Sequence, residues 1–352
     1  MTHPWPLNLG LTVGVLALAA CGEPTAPTQP GTAGDPSSAV LSFVLASNSW
    51  TTKAPFPRSF LSGIAVGVRN NSAGLPIVYV FGGNFLDIQS SIISAYNPST
   101  NTWADKSAPF LAGHSWTNGV GRIGGKLYIS GGYSVGGGGG LSSESMNATL
   151  WAYDPAANSA VSKAPMPRQT AEGVTGVING KLYVLSGVCA DDSPPVFDCD
   201  DPTFSRLLYR YDPATNTWTT LPPAPRSHRG GVGGVINGKF YVAGGGSSTA
   251  LDVYNPAANT WRRLAPLPQS LCCTVGAVMN SKLWVVGWYA SSRNTYAYDP
   301  VTNTWKSRAP LPAGTMVQGA VSLPFDGHSH LFLVGATLDE ADKPAPSLLY
   351  TP

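Results

Sequence analysis

Apolar positions in this chain come in short runs cut by polar turns, and the cycle recurs. Between 168 and 221 a Gly-interrupted apolar run at 173–178 leads to Asn179-Gly180, and then to KLYVLSG at 181–187. An Asn-Gly pair between apolar runs predicts a tight hairpin, because both residues take left-handed backbone at little cost. A polar excursion follows, then an apolar run at 207–211, the turn DPATN, and TWTTL at 217–221. Proline in that turn has the fixed φ that the bend needs. Four short antiparallel strands per cycle predict one blade of a propeller.

The cycle is written again in the letters. YNPSTNTW stands at 96–103, YDPATNTW at 211–218, YNPAANTW at 254–261 and YDPVTNTW at 298–305, with a worn copy, YDPAANSA, at 153–160. Repetition of this kind means one unit that buries its face only against its neighbours. A Tyr column runs through Tyr96, Tyr153, Tyr211, Tyr254, Tyr298 and Tyr350. A Trp column runs through Trp50, Trp103, Trp218, Trp261 and Trp305, with Ala160 in the remaining place. Aromatics of the second strand recur as Tyr79, Tyr128, Tyr183, Tyr241, Trp284 and Phe332. Glycine pairs follow at Gly82-Gly83, Gly131-Gly132 and Gly244-Gly245, whereas Ser186-Gly187, Gly287-Trp288 and Gly335-Ala336 depart from the pattern.

These columns resemble the Kelch repeat over about 48–352. The resemblance implies an all-β fold, a Kelch-type β-propeller. The last repeat stops at Tyr350-Thr351-Pro352, just short of the strand that carries Trp in the others, and Asn48-Ser49-Trp50 supplies that strand. Donating 48–53 to the last blade leaves no unpaired edge. Six blades are expected. The aromatic columns read as packing between blades, so the blade with Ala160 should be the loosest.

Composition agrees. The chain has 352 residues, 43% hydrophobic and 11% charged, with a net charge of +2. No basic field argues for nucleic acid. Forty Gly and 31 Pro punctuate turns.

The start of the chain is different. LTVGVLALAA at 11–20 is too short to span a bilayer and ends in small residues just before Cys21. This resembles a bacterial lipoprotein signal, although Thr2 to Gly10 has no Lys or Arg. The resemblance implies cleavage after 1–20 and lipidation of Cys21, with Gly22 favouring the outer membrane. EPTAPTQPGTAGDPSS at 23–38 cannot pack and reads as a tether. The expected division is a signal at 1–20, an anchored tether at 21–46 and a propeller at 47–352. A monomer in the cell envelope is expected.

In a four-stranded blade, the loops before strand one and after strand two share a face, and in Kelch proteins that face usually carries the ligand. The first set offers Arg58, His114, Arg168, Arg226, His228, Arg229 and Gln269. The second offers Asn84, Phe85, Asp87, Tyr133, Trp288 and Tyr289. Arginines converging from several blades would bind a carboxylate, sulfate or acidic sugar bidentately, and aromatics would take a sugar ring or peptide side chain. Pro-Arg at 57–58, 167–168 and 225–226 is also part of the repeat, so those arginines can equally serve the loops. Glu172, His228 and Arg229 break the repeat. Glu172 is the one acid in an otherwise apolar innermost strand and is a candidate acid or base.

Cys189 and Cys199 bracket an insertion rich in Asp, and an exported compartment would let them bridge. Cys272 and Cys273 are adjacent and read as thiols. No metal or other cofactor is expected, because His328 and His330 in DGHSH stand on the face opposite His114 and His228. The leading reading is a binding module for a protein or glycan. The alternative is a sugar-modifying enzyme resembling sialic acid mutarotases, whose characteristic motifs are not recognisable here. A galactose-oxidase-like enzyme ranks below both.

Overall fold

The computed structural model describes residues 48–58, 63–85, 88–89, 92–108, 110, 114–134, 146–189, 204–271, 274–287, 292–336 and 346–352. Cys21 with its signal and tether, Asp87, Trp288, Tyr289, Cys199, Cys272 and Cys273 lie outside these residues, as does the side chain of Cys189.

The hydrophobic runs pair as the pattern predicts, into six four-stranded antiparallel sheets. The first blade is Ala65–Asn70, Pro76–Phe81, Ile92–Asn97 and Thr102–Ser107. The second is Val120–Ile123, Lys126–Ser130, Leu150–Asp154 and Ser159–Ser162. The third is Val174–Ile178, Lys181–Leu185, Leu208–Asp212 and Thr217–Leu221. The fourth is Val232–Ile236, Lys239–Ala243, Leu251–Asn255 and Thr260–Arg263. The fifth is Thr274–Met279, Lys282–Gly287, Thr295–Asp299 and Thr304–Arg308. The sixth is Met316–Phe325, His328–Ala336 and Ser347–Thr351, completed by Ser49–Lys53. Each first strand packs against the first strands of the blades on either side, right round the ring.

The sixth blade closes as the sequence implies. Ser49 to Lys53 pair with Thr351 to Ser347, and Trp50 stands opposite Tyr350. The same cross-strand pair recurs as Tyr96↔Trp103, Tyr211↔Trp218, Tyr254↔Trp261 and Tyr298↔Trp305.

A third column, of asparagine, locks these pairs. Asn48, Asn101, Asn158, Asn216, Asn259 and Asn303 all hold left-handed backbone. Each accepts the hydroxyl of its blade's tyrosine through Oδ1, at 2.6 to 2.8 Å. In four blades the same oxygen also accepts the N–H of Ala54, Ala164, Ala265 or Ala309 in the linker that runs past. The indoles of Trp103, Trp218, Trp305 and Trp50 donate to the carbonyls of those same four linker residues. The Tyr–Asn–Trp set therefore satisfies buried polar groups as well as filling space.

At Ala160 the expectation of loose packing fails. Phe110, from the preceding linker, stacks on Tyr153 with centroids 5.8 Å apart and also meets Trp151 at 5.4 Å. A ring from outside the repeat fills the place of the missing indole.

Burial pushes the tyrosines Tyr96, Tyr211 and Tyr298 up from 10.0 to about 12, and Tyr153 further, with the nearby Tyr79 and Asp154 adding to burial there. The unfolded chain then loses these protons first. Stability should be level below about pH 10 and fall as the pH rises towards 12. Urea midpoints measured across that range test this, and an unchanged midpoint would contradict it.

Candidate functional site

The loops before the first strands meet in a collar at one mouth of the central channel. Gly63, Trp116, Glu172 and Gly230 take the same place in successive blades, with φ of 72°, 52°, 53° and 63°. Their backbones are chained. Trp116 N–H donates to Gly63 O at 2.7 Å, Glu172 N–H to Trp116 O at 2.9 Å, and Gly230 N–H to Glu172 O at 2.9 Å. Thr274 continues the series by donating its hydroxyl to Gly230 O at 3.1 Å. Glycine adopts this conformation freely, whereas for Trp and Glu it costs about 1–2 kcal/mol per residue. Such strain persists where the surroundings enforce it and concentrates at functional sites.

The collar surrounds a cavity of about 510 Å³ whose lining includes Trp116, Glu172, Arg229, Ser247, Thr274 and Gln318. Deeper in, the channel wall is mostly glycine and valine, including Val66, Val120, Gly233, Val278 and Val321. Glu172 and Arg229 are the charged groups of this mouth, and Arg122 lines the channel farther along, beside Val68 and Pro324.

Glu172 is held there from three sides. Arg229 donates from Nε to Oε2 at 2.8 Å and from Nη2 to Oε1 at 3.0 Å, and the Tyr133 hydroxyl donates to Oε1 at 3.4 Å. Underneath, buried Asn118 accepts the N–H of Gly173 at 3.1 Å and donates to the carbonyls of Ser130 and Thr170. The fork is partly open to solvent, with the Arg229 side chain 48% exposed and Glu172 15%. A two-bond fork between guanidinium and carboxylate fixes both planes and cancels both charges.

The expected convergence of arginines does not occur. Arg229 lines the cavity, but Arg58 donates to Ser94 and to Asp105 on the third and fourth strands of its own blade. Arg226 lies 3.4 Å from buried Asp252, and Arg168 is not among the residues lining the cavity. His228 is fully buried, with Nδ1 2.7 Å from Gly244 O and Nε2 3.1 Å from Asp252 Oδ2. His114 is also buried, on a two-residue strand paired with Tyr133–Ser134, with Nε2 3.2 Å from Thr149 Oγ1. Tyr133 is buried and is not among the residues lining the cavity, but its hydroxyl meets Glu172, which is. The repeat pattern predicts neither Trp116, Gln318 nor Asn118. Trp116 was findable, since it stands where two other blades have glycine.

The Kelch motif is matched at residues 171–225, 229–268 and 270–312. The chain is 28% identical over 214 residues to Kelch-like protein terF of Aspergillus terreus, covering 56% of this chain and 42% of that protein. It is 30% identical over 171 residues to Kelch-like protein 26 of Danio rerio, covering 48% and 25%. It thus spans less than half the length of these relatives. Among solved structures it is similar to that of YjhT, with a TM-score of 0.60 at 19% identity, covering 84% of this chain and 95% of the other. A fungal alcohol oxidase of the AA5 family, in complex with copper, gives a TM-score of 0.56 at 15% identity, covering 86% and 76%. At such identities these two likenesses concern the fold alone. The chain carries Kelch repeats and folds as a six-bladed Kelch-type propeller.

Proposed function

We propose that this propeller is an exported, lipid-anchored binding module whose mouth takes an uncharged polar group, a sugar ring or a polar peptide side chain of a partner. The observation that carries the reading is the collar, which holds Trp116 and Glu172 in left-handed backbone beside one cavity. Trp116 offers a face for stacking. The Glu172–Arg229 fork and Gln318 offer donors and acceptors with no net charge. The anchor rests on the apolar run at 11–20, Cys21 and the tether behind it.

The enzyme reading needs Glu172 and at least two arginines at one small pocket. Among the described residues, Arg229 is the arginine that lines it, and it occupies both oxygens of Glu172. A carboxylate engaged in this way favours positioning over proton transfer.

Titrating the purified protein with neutral and acidic sugars, followed by thermal shift and calorimetry, tests the reading. A neutral sugar should stabilise the fold, and Trp116→Ala should weaken it about tenfold or more, a loss of about 1.4 kcal/mol or more. Response to acidic sugars alone, or unchanged affinity in Trp116→Ala, would count against it. The anchor is tested separately: Cys21→Ala should move the protein out of the membrane fraction.

A further inference from the structure

We propose that Asp326, His328 and His330 form a site for a divalent transition ion, of which zinc is the type, at the hairpin of the sixth blade. Comparison with the other blades reveals it. In the third blade Leu182 pairs with Tyr211, and the residue before it, Lys181, bonds Asp212 at 2.5 Å. Lys282 and Asp299 repeat this pair in the fifth. In the sixth, Leu331 pairs with Tyr350, so His330 stands in the lysine's place and Thr351 in the aspartate's. The ion pair is replaced by His330 Nδ1 lying 3.2 Å from Thr351 Oγ1.

The hairpin also runs on beyond the length of its counterparts. Its strands have 10 and 9 residues, against 5 and 5 in the third blade. The extension brings His328 and Asp326. His328 and His330 are two apart on one strand and share a face. Asp326 sits at the turn with φ of 51°, followed by Gly327 at 82°, which folds its carboxylate back over that face.

The donor atoms lie within 4.8 Å of one another. Asp326 Oδ1 is 2.9 Å from His330 Nε2 and 3.3 Å from His328 Nδ1. Around a tetrahedral zinc with bonds of about 2.0–2.1 Å, ligand atoms stand about 3.3 Å apart, so little movement separates this triad from a coordinating one. The His330 side chain is fully buried and the Thr351 hydroxyl holds its second nitrogen, as an outer partner orients a ligating imidazole. Two imidazoles and one carboxylate suit zinc, copper or nickel better than calcium or magnesium. The His328 side chain is 63% exposed, which leaves the remaining positions to water or a donor from outside. His114 and His228 are not needed, because the carboxylate of Asp326 supplies the third ligand.

The test is calorimetric titration of the EDTA-stripped, purified full-length protein with zinc sulfate, in wild type, His328→Ala and Asp326→Asn. Both altered side chains are substantially exposed, so folding should survive. One zinc per chain is expected, unaffected by excess magnesium, with affinity at least about tenfold lower in each variant. Absence of stoichiometric binding, or wild-type affinity in either variant, overturns the proposal.

Discussion

Trp50→Ala should lower the unfolding free energy by about 3 kcal/mol, and removal of residues 48–53 should abolish the cooperative fold. The first figure is the lower end of the range of about 3–5 kcal/mol for deleting a large aromatic from a core, because Trp50 is only half-buried. Its ring lies 4.9 Å from Tyr350 and its indole donates to Ala309 O at 3.0 Å. Trp261→Ala is the control. It stands in the same column and makes equivalent contacts, but belongs to a blade whose four strands are continuous in sequence. Both point variants should lose a similar amount in urea titrations. Only the deletion opens the ring, leaving Ser347–Thr351 as an unpaired edge and withdrawing the Asn48 acceptor from Tyr350 and Ala309. A truncated protein that melts like the intact one would refute closure by this strand.

Asp252→Ala should cost about 3–5 kcal/mol, the range found when one partner of a buried charge pair is removed. The carboxylate is fully buried, 3.1 Å from His228 Nε2 and 3.4 Å from Arg226 Nε, with Arg263 Nε at 4.0 Å. His228 is itself fully buried, and both its ring nitrogens face oxygen acceptors. Alanine would leave that imidazole without its carboxylate partner and the guanidinium without its counter-charge. Asp252→Asn keeps the shape and one acceptor and should lose less. Urea midpoints with unchanged slopes would measure both. Stability near wild type in Asp252→Ala would show that the cluster is not structural. The result also bears on function, since it would place His228 and Arg226 in the scaffold rather than among ligand contacts.

How much the residues disclose beforehand depends on where a contact's two halves sit. Tyr, Asn and Trp of one blade lie within a single turn, so their pairing is legible from spacing, and the seam between Trp50 and Tyr350 follows by subtraction. Phe110 escapes notice because it replaces the indole from the linker, outside the repeated phrase. Arg58 and Arg226 mislead for a related reason. Their acids, Asp105 and Asp252, have no counterpart in the repeat, so nothing announces that the guanidiniums are already engaged. Glu172 is conspicuous as an acid in an apolar stretch, but it sits in the bend before Val174 and not in the innermost strand where the pattern puts it. Its restraint by Arg229 spans 57 positions and is visible only in space.

The collar also determines how this mouth could be refitted for another task. From Gly63 to Gly230 its rim is stitched through main-chain atoms, so exchanging a side chain there need not shift the wall. The two glycines differ in room. A methyl group on Gly63 would collide with the Trp116 ring at 2.6 Å, whereas one on Gly230 would meet nothing within 4 Å. Gly230 is thus the open socket of the rim, where one codon change could install a new recognition group for little more than the strain that Trp116 and Glu172 already bear.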